Sequence, residues 1–268
     1  MTRSTVTRPS ISCRTRWIIS SQPLFTYSLR LGDSCLVLAQ RLAEWTGHAP
    51  VLEEDIALGN LGLDLLGQAR SFLSYAGEVE GKGRSEDDLA FHRDAWDFRN
   101  VTLAEQPNGD FGQTIARHLL FSAWHEMVLE GLAGSADRRL AAVAEKGVKE
   151  MAYHWRHAAE WTIRLGDGTA ESHRRMQAGL QAVWGFTPEL FAMDAVDEAM
   201  LAAGAGIDLA ALKPEWDRRV DAVLAEAALE RPTIITISDG KNGVHSEHLG
   251  HLLSELQFLQ RAYPRMEW

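Results

Sequence analysis

Residues 53–75 read EEDIALGNLGLDLLGQARSFLSY, and this stretch decides the fold. Its first turn carries three acidic residues, Glu53, Glu54 and Asp55, which complement the positive end of a helix dipole. Leucine, isoleucine and phenylalanine then recur at helical spacing around much of the circumference. A helix with so wide an apolar surface is buried on more than one side. The stretch therefore predicts a helix inside a bundle.

Helical periodicity continues on both sides of this stretch. Four long helices are predicted, in two pairs, at 27–46, 53–75, 111–132 and 137–165. A short link joins the two helices of each pair, and a polar connection at 81–109, with one short helix at 86–91, crosses between the pairs. This connectivity predicts an all-α fold, a ferritin-like four-helix bundle with additional C-terminal helices.

The sequence predicts one ferritin-like domain at 25–268, with its bundle core at about 27–166 and a helical extension at about 170–268. Within the extension, helices are predicted at 171–184, 187–202, 209–229 and 245–262, and a single strand at 233–237. Residues 1–24 contain four arginines and no acidic residue. We interpret them as a disordered leader or the product of a misassigned start, with a transit peptide as the alternative.

Composition excludes several classes of function. The formal net charge of −10 argues against binding of nucleic acid, which needs clustered basic residues to neutralise phosphates. No apolar run approaches the roughly 18 residues that a membrane span requires. The two cysteines, Cys13 and Cys35, are too few for a disulfide framework and are typical of a reducing compartment. We therefore expect a cytoplasmic protein with no nucleic-acid or membrane partner.

A four-helix bundle with a long crossover raises the question of a di-iron site. Such a site takes a Glu from each of two helices and a Glu-x-x-His pair from each of the other two, and no Glu-x-x-His occurs in this sequence. The nearest match is Glu150, which has Tyr153 at i+3, His154 at i+4 and Lys149 beside it. With Asp64 on the second helix, these residues predict a degenerate site that binds no metal.

Two interpretations of this region stay open. Glu150, His154 and His157 share one helix face and could bind a single metal ion. The interpretation that we favour is a buried polar cluster of Glu150, Tyr153 and His154, with Lys149 pairing locally.

Two polar stretches near the C-terminus allow similar alternatives. Residues 245–251 read HSEHLGH, and their spacing places Glu247 or His248 on one helical face with His251, so zinc binding is one interpretation. A polar helix start that bonds backbone or a partner chain is the one that we favour. Residues 240–243, GKNG, could bind a phosphate, but they lack the full P-loop pattern and we interpret them as a turn.

Six motifs stand in order along the chain. They are YSLRLGD at 27–33, LAEWTGHAP at 42–50, GLDLLGQAR at 62–70, EQPNG at 105–109, KE followed by YH within 149–154, and HSEHLG at 245–250. Together they resemble the family of C subunits of ring-1,2-phenylacetyl-CoA epoxidases, over residues from about Phe25 to Trp268.

The resemblance implies a ferritin-like fold and a partnership with a homologous A subunit that holds the di-iron centre. It also implies a reductase subunit that uses NADPH, FAD and an iron–sulfur centre, and a complex that epoxidises the ring of phenylacetyl-CoA. The C subunit is then a structural, non-catalytic component with no cofactor of its own. The alternatives are a metal-binding oxygenase in its own right and a stand-alone helical binding protein.

Partnership predicts an interface of more than about 2,000 Å² with an apolar centre. The first two predicted helices are the expected contributors, because their apolar coverage exceeds one stripe. Free backbone N–H groups at the start of the second helix, at Glu53, Glu54, Asp55 and Ile56, could also contact a phosphate of the acyl-CoA.

Overall fold

The computed structural model describes residues 21–264 and Met266, so most of the predicted leader lies outside the described residues. These residues form α-helices and two short 3-10 turns, and no strand occurs among them. The helices are α1 Ser21–Ala43, α2 Leu52–Glu80, α3 Glu86–Phe91, α4 Thr102–Glu105, α5 Phe111–Leu132, α6 Arg138–Gly166, α7 Ala170–Trp184, α8 Pro188–Phe191, α9 Ala195–Ala202, α10 Leu209–Glu226, α11 Glu247–Leu256 and α12 Phe258–Ala262. The prediction of an all-α fold is confirmed.

The four long helices pack in the predicted pairs, α1 along α2 and α5 along α6. Helix α5 is buried along almost its whole length, because α6, α7 and α10 all pack against it. Helix α2 meets α6 over a much smaller area than it meets α1. The seam between α2 and α6 is therefore less extensively packed than the interface within either pair.

Capping residues fix where the central helices begin. The side chain of Asp110 accepts a hydrogen bond from the backbone N–H of Gln113 at the start of α5 (3.0 Å). Asp137 does the same for the backbone of Leu140 at the start of α6 (3.0 Å). Helix α2 ends at Glu80, and the next residue, Gly81, has a φ of 71°, in the left-handed region that favours glycine. The two aspartate caps explain why the predicted and observed limits of α5 and α6 agree to within one residue.

Helix α1 begins earlier than predicted. It starts at Ser21, and Leu24 is buried against the core. Residues 21–24 of the predicted leader therefore lie in α1, because an acid-free composition does not prevent a helix with a buried apolar face. The helix also ends at Ala43, so Trp45 lies in the following turns.

The predicted strand at 233–237 is wrong. The segment is irregular, and its one ladder-like contact is the N–H of Thr236 donating to the carbonyl of Gly185 (2.9 Å). Ile237 is fully exposed. A β-prone pattern forms a strand only when another strand pairs with it, and no other strand lies in the described part of the chain.

Two predicted helices are each divided in two. The predicted helix at 187–202 breaks between α8 and α9, because the carboxylate of Asp194 caps α9 and pairs with Arg30 of α1. The predicted helix at 245–262 forms α11 and α12, with a break at Gln257. No helix among the described residues combines the length and the apolar character that crossing a bilayer requires.

Close packing of α7 on α5 depends on Gly179. A Cβ at this position would lie 2.6 Å from Cα and 2.7 Å from the backbone N of Gln113. We expect Gly179→Ala to lower the free energy of unfolding by about 1–3 kcal/mol, because the helices must separate. Gly59→Ala is the matched control: no atom lies within 4 Å of its Cβ position, so the gain in helix propensity should raise stability by up to about 1 kcal/mol. Urea unfolding of both variants measures the difference, and equal effects would contradict the packing argument.

Candidate functional site

One polar side chain from each long helix meets at the centre of the bundle. They are Cys35 of α1, Gln68 of α2, His125 of α5 and Glu150 of α6. Nε2 of His125 lies 2.9 Å from Oε1 of Gln68 and 3.3 Å from Sγ of Cys35. Nε2 of Gln68 donates to Oε2 of Glu150 (2.9 Å). A continuous chain of contacts therefore links all four helices, and Gln68 is its middle member.

Burial determines the protonation states of Cys35 and His125. Burial, with smaller contributions from the charges of Glu150 and Asp33, raises the pKa of the Cys35 thiol far above its usual value. Burial, helped by His154, lowers the pKa of His125 to about 3. At neutral pH Cys35 is therefore a protonated thiol and His125 a neutral imidazole. A proton on Nε2 of His125 lets the ring donate to Gln68, whose amide N–H then donates to Glu150.

A second group lies beside the first. Nε2 of His154 lies 3.4 Å from Oδ2 of Asp64, and the rings of His154 and His118 have centroids 5.1 Å apart. Burial lowers the pKa of His154, although the hydrogen bond and charge of Asp64 oppose the change. His118 is fully buried, and neither ring nitrogen has a hydrogen-bond partner among the described residues. Its pKa lies well below the usual value, chiefly because of burial.

The structure corrects part of the predicted degenerate site. Asp64, Glu150 and His154 lie on the α2–α6 seam, where His154 contacts Asp64 and Glu150 contacts Gln68. Tyr153 instead points outward and is 43% exposed, so the predicted buried Glu150–Tyr153–His154 cluster is wrong. Lys149 is also exposed; Lys146, one turn before Glu150, forms the ion pair with it (3.4 Å). The residue at i+4 from Glu150 faces the seam, whereas the residue at i+3 turns toward solvent.

The predicted substrate-contact residues at the start of α2 have separate roles in the structure. Nε2 of His157 lies 2.9 Å from Oε2 of Glu54. Asp55 accepts a hydrogen bond from the backbone N–H of Gly47 (2.7 Å), which fixes the turn before α2. Glu53 and Ile56 are exposed. Contact of these residues with an acyl-CoA stays a prediction.

The GKNG loop at 240–243 forms a 3-10 turn, in agreement with the interpretation of this stretch as a turn. Nζ of Lys241 is buried and pairs with Asp197 (2.9 Å), and its backbone N–H donates to Glu189 (3.0 Å). Arg30 of α1 pairs with the same Asp197 (3.1 Å) and with Asp194. The lysine is therefore fully engaged in holding the C-terminal extension to α1.

Residues 245–251 also serve as an anchor. Nδ1 of His245 lies 2.7 Å from the buried carboxylate of Glu105, which also accepts from the backbone N–H of Ser246 (2.6 Å). Burial alone would lower the pKa of His245, but the hydrogen bond and charge of Glu105 outweigh burial and raise it. Glu247 and His251 are exposed at the start of α11. The favoured interpretation, a polar helix start bonded to the fold, agrees with these contacts.

Sequence reasoning missed Cys35, Gln68 and His125 as members of the central group. Gln68 stands one helical turn after Asp64, and His125 stands two turns after His118, so each shares a face with a residue already singled out. This spacing is the sequence signal for Gln68 and His125.

The donor set at the centre does not fit a di-iron centre. Two iron ions in such a bundle are held mainly by carboxylates. Among the four central side chains only Glu150 has a carboxylate. Cys35, Gln68 and His125 contribute a thiol, an amide and an imidazole that already bond to one another. Within residues 21–264 no group of three or more His, Cys, Asp or Glu side chains is arranged to hold a metal ion.

Fold and centre together define a ferritin-like bundle whose core is joined by hydrogen bonds between side chains. The chain belongs to the family of phenylacetic acid catabolic proteins, whose sequence model matches residues 15–268. It is 50% identical over 246 residues to the C subunit of 1,2-phenylacetyl-CoA epoxidase from Escherichia coli (strain K12). That alignment covers 91% of this chain and 99% of the relative.

The buried, neutral His118 makes stability depend on pH. In the unfolded chain its ring gains a proton below about pH 6.5, whereas in the fold it does not, so stability falls with acid by about 1.4 kcal/mol per pH unit. Replacement by a group that does not titrate removes this contribution. Between pH 7.5 and pH 5, we expect the free energy of unfolding of His118→Leu to fall by about 2 kcal/mol less than that of the wild type.

Urea unfolding at the two pH values measures this difference. The packing cost of replacing histidine by leucine is the same at both pH values, so it cancels when the two values of one variant are subtracted. Leu119→Val, also buried in α5, is the control and should keep the wild-type dependence on pH. An unchanged acid response in His118→Leu would show that His118 is not held neutral.

Proposed function

We propose that this chain is a non-catalytic, structural subunit of a multicomponent 1,2-phenylacetyl-CoA epoxidase in the aerobic catabolism of phenylacetate. Its role is to support the catalytic A subunit, in which we place the di-iron centre, while FAD and iron–sulfur centres belong to the reductase subunit. Membership of the family and the similarity to an epoxidase C subunit support the pathway. The contacts of Gln68 support the structural role.

Gln68 makes a metal-binding rearrangement costly. Its amide is the shared partner of His125 and Glu150, so a metal ion bound to either residue would have to break that contact. A buried polar group left without its partner costs about 1–3 kcal/mol. The thiol of Cys35 would also have to lose its proton against a raised pKa. These conditions favour a centre that stabilises the bundle and performs no chemistry.

The alternative of a mononuclear oxygenase has less support. It requires Glu150, His154 and His157 to converge, but each is engaged elsewhere. Glu150 accepts from Gln68, and the two histidine rings contact Asp64 and Glu54 respectively. The three donors are thus directed at three separate partners along the seam. The cytoplasm stays our proposed compartment, in keeping with the free, buried thiol of Cys35.

Co-expression with the A subunit tests the proposal. We expect one complex by mass measurement, with iron in proportion to the A chains alone. His154→Ala should leave the iron content of the complex unchanged, as should the exposed control His251→Ala. Stoichiometric iron in this chain purified alone, lost on His154→Ala, would establish the mononuclear alternative instead.

Reconstituted turnover gives a second prediction. Epoxidation by the A subunit and reductase should fall to background without this chain and return when the chain is added. Glu150→Gln should restore turnover as well as the wild type does, because no carboxylate of this chain enters the reaction. Loss of turnover in a complex that still assembles with the Glu150→Gln chain would contradict a structural role.

A further inference from the structure

A small cavity lies inside the fold where α1, α5 and α9 meet. Tyr27 of α1, Trp124 of α5 and Asp197 of α9 are among the residues that line it. Every lining residue is buried, and these three are only 3%, 4% and 2% exposed. The centre of a water-sized sphere can occupy about 20 Å³ of this space. An ordered water needs roughly 10–15 Å³ by this measure, so the cavity has room for one water molecule.

Two polar groups that line the cavity lack a hydrogen-bond partner. Neither the hydroxyl oxygen of Tyr27 nor Nε1 of Trp124 bonds to an atom of the described residues. The indole N–H can only donate, and the phenolic hydroxyl has one hydrogen to donate, so both groups require an acceptor. Buried polar groups of folded proteins nearly always have such a partner, either in the protein or in ordered water.

Nearby groups of the chain do not supply the missing acceptor for Tyr27. Burial and then the charge of Asp197 raise the pKa of Tyr27, while the nearby backbone N–H of Ile207 opposes them. That N–H is itself a donor, so the hydroxyl hydrogen of Tyr27 still needs an acceptor. The effect of Asp197 on this pKa shows that its carboxylate lies close to the phenol.

The carboxylate of Asp197 can accept a further hydrogen bond. Arg30 and Lys241 both reach its Oδ2, at 3.1 Å and 2.9 Å. The backbone N–H of Asp194 donates to the same oxygen (3.3 Å). Among the described residues no hydrogen bond reaches Oδ1 of Asp197. The cavity wall therefore combines two donors that lack an acceptor with one carboxylate oxygen that lacks a donor.

The charges around the cavity balance, which favours a neutral ligand. Arg30 and Lys241 are positive, and Asp194 and Asp197, to which they pair, are negative. An anion in the cavity would lie against the carboxylate of Asp197, and a cation would meet the guanidinium of Arg30 and the N–H of Trp124. A water molecule has two lone pairs and two hydrogens, so it matches both kinds of group.

We propose that this cavity binds one water molecule, which accepts hydrogen bonds from the hydroxyl of Tyr27 and the indole of Trp124 and donates one to Asp197. Three hydrogen bonds are typical of a buried water. The water joins α1, α5 and α9 at the point where Arg30 and Lys241 fasten the C-terminal helices to α1. The site concerns the chain by itself and does not depend on the proposed function.

NMR measurement of contacts between water and the full-length chain tests the proposal. We expect the indole N–H of Trp124 to show a cross-peak to water with the sign of a long-lived bound molecule. Trp216 is the matched control, because its similarly buried indole N–H donates to the carbonyl of Leu120 (3.1 Å). It should show no such cross-peak. The variants Trp124→Phe and Trp216→Phe assign the two indole signals by their loss.

The variant Tyr27→Phe separates bound water from the hydroxyl of Tyr27, whose hydrogen exchanges with solvent and could relay the same signal. We expect the cross-peak of Trp124 to persist in this variant, because the water keeps the indole and Asp197 as partners. An unchanged indole signal of Trp216 shows that the variant is folded. Absence of the Trp124 cross-peak in the wild type would overturn the proposal, as would its loss in folded Tyr27→Phe.

Discussion

The side-chain amide of Gln68 has one carbonyl and one N–H₂ group, and in this bundle it gives the first to His125 and the second to Glu150. This arrangement joins α5, α2 and α6 through two buried side chains, His125 and Gln68, and the half-buried carboxylate of Glu150. Because an unpaired polar atom in such surroundings is costly, the three helices keep one register. The neutral state of His125 and the protonated thiol of Cys35 follow from the same burial.

A second set of buried polar contacts links the C-terminal helices to the four-helix bundle. Arg30 and Lys241 share Asp197, and His245 bonds to Glu105. Buried charges are tolerated only when they are paired and hydrogen-bonded. The helices after α6 are therefore fixed to α1 and to the crossover by specific ionic contacts as well as by apolar packing. The Arg30–Asp197 and His245–Glu105 contacts join residues that are more than 100 positions apart in the sequence.

Most of the fold can be predicted from local patterns, and the failures have physical causes. Apolar periodicity and the caps Asp110 and Asp137 are local, so α5 and α6 are predicted to within one residue, whereas α1 and α2 extend five or six residues beyond one predicted end. The segment at 233–237 has strand propensity, but its pairing depends on a partner that the rest of the described chain does not provide. At the site, Asp64, Glu150 and His154 are predicted together, whereas Gln68 is missed because an amide carries no metal-ligand signature. Tyr153 is misplaced because the face of α6 that packs on the rest of the bundle, which a local pattern does not specify, decides which neighbour of Glu150 turns inward.

The enclosed thiol of Cys35 gives the bundle a built-in reporter. Only a thiolate reacts readily with alkylating reagents, and this sulfur is both protonated and out of solvent. Alkylation of Cys35 therefore requires the core to open. The rate of alkylation then measures how often the core opens. The same shielding keeps the sulfur from oxidants in the surrounding solvent.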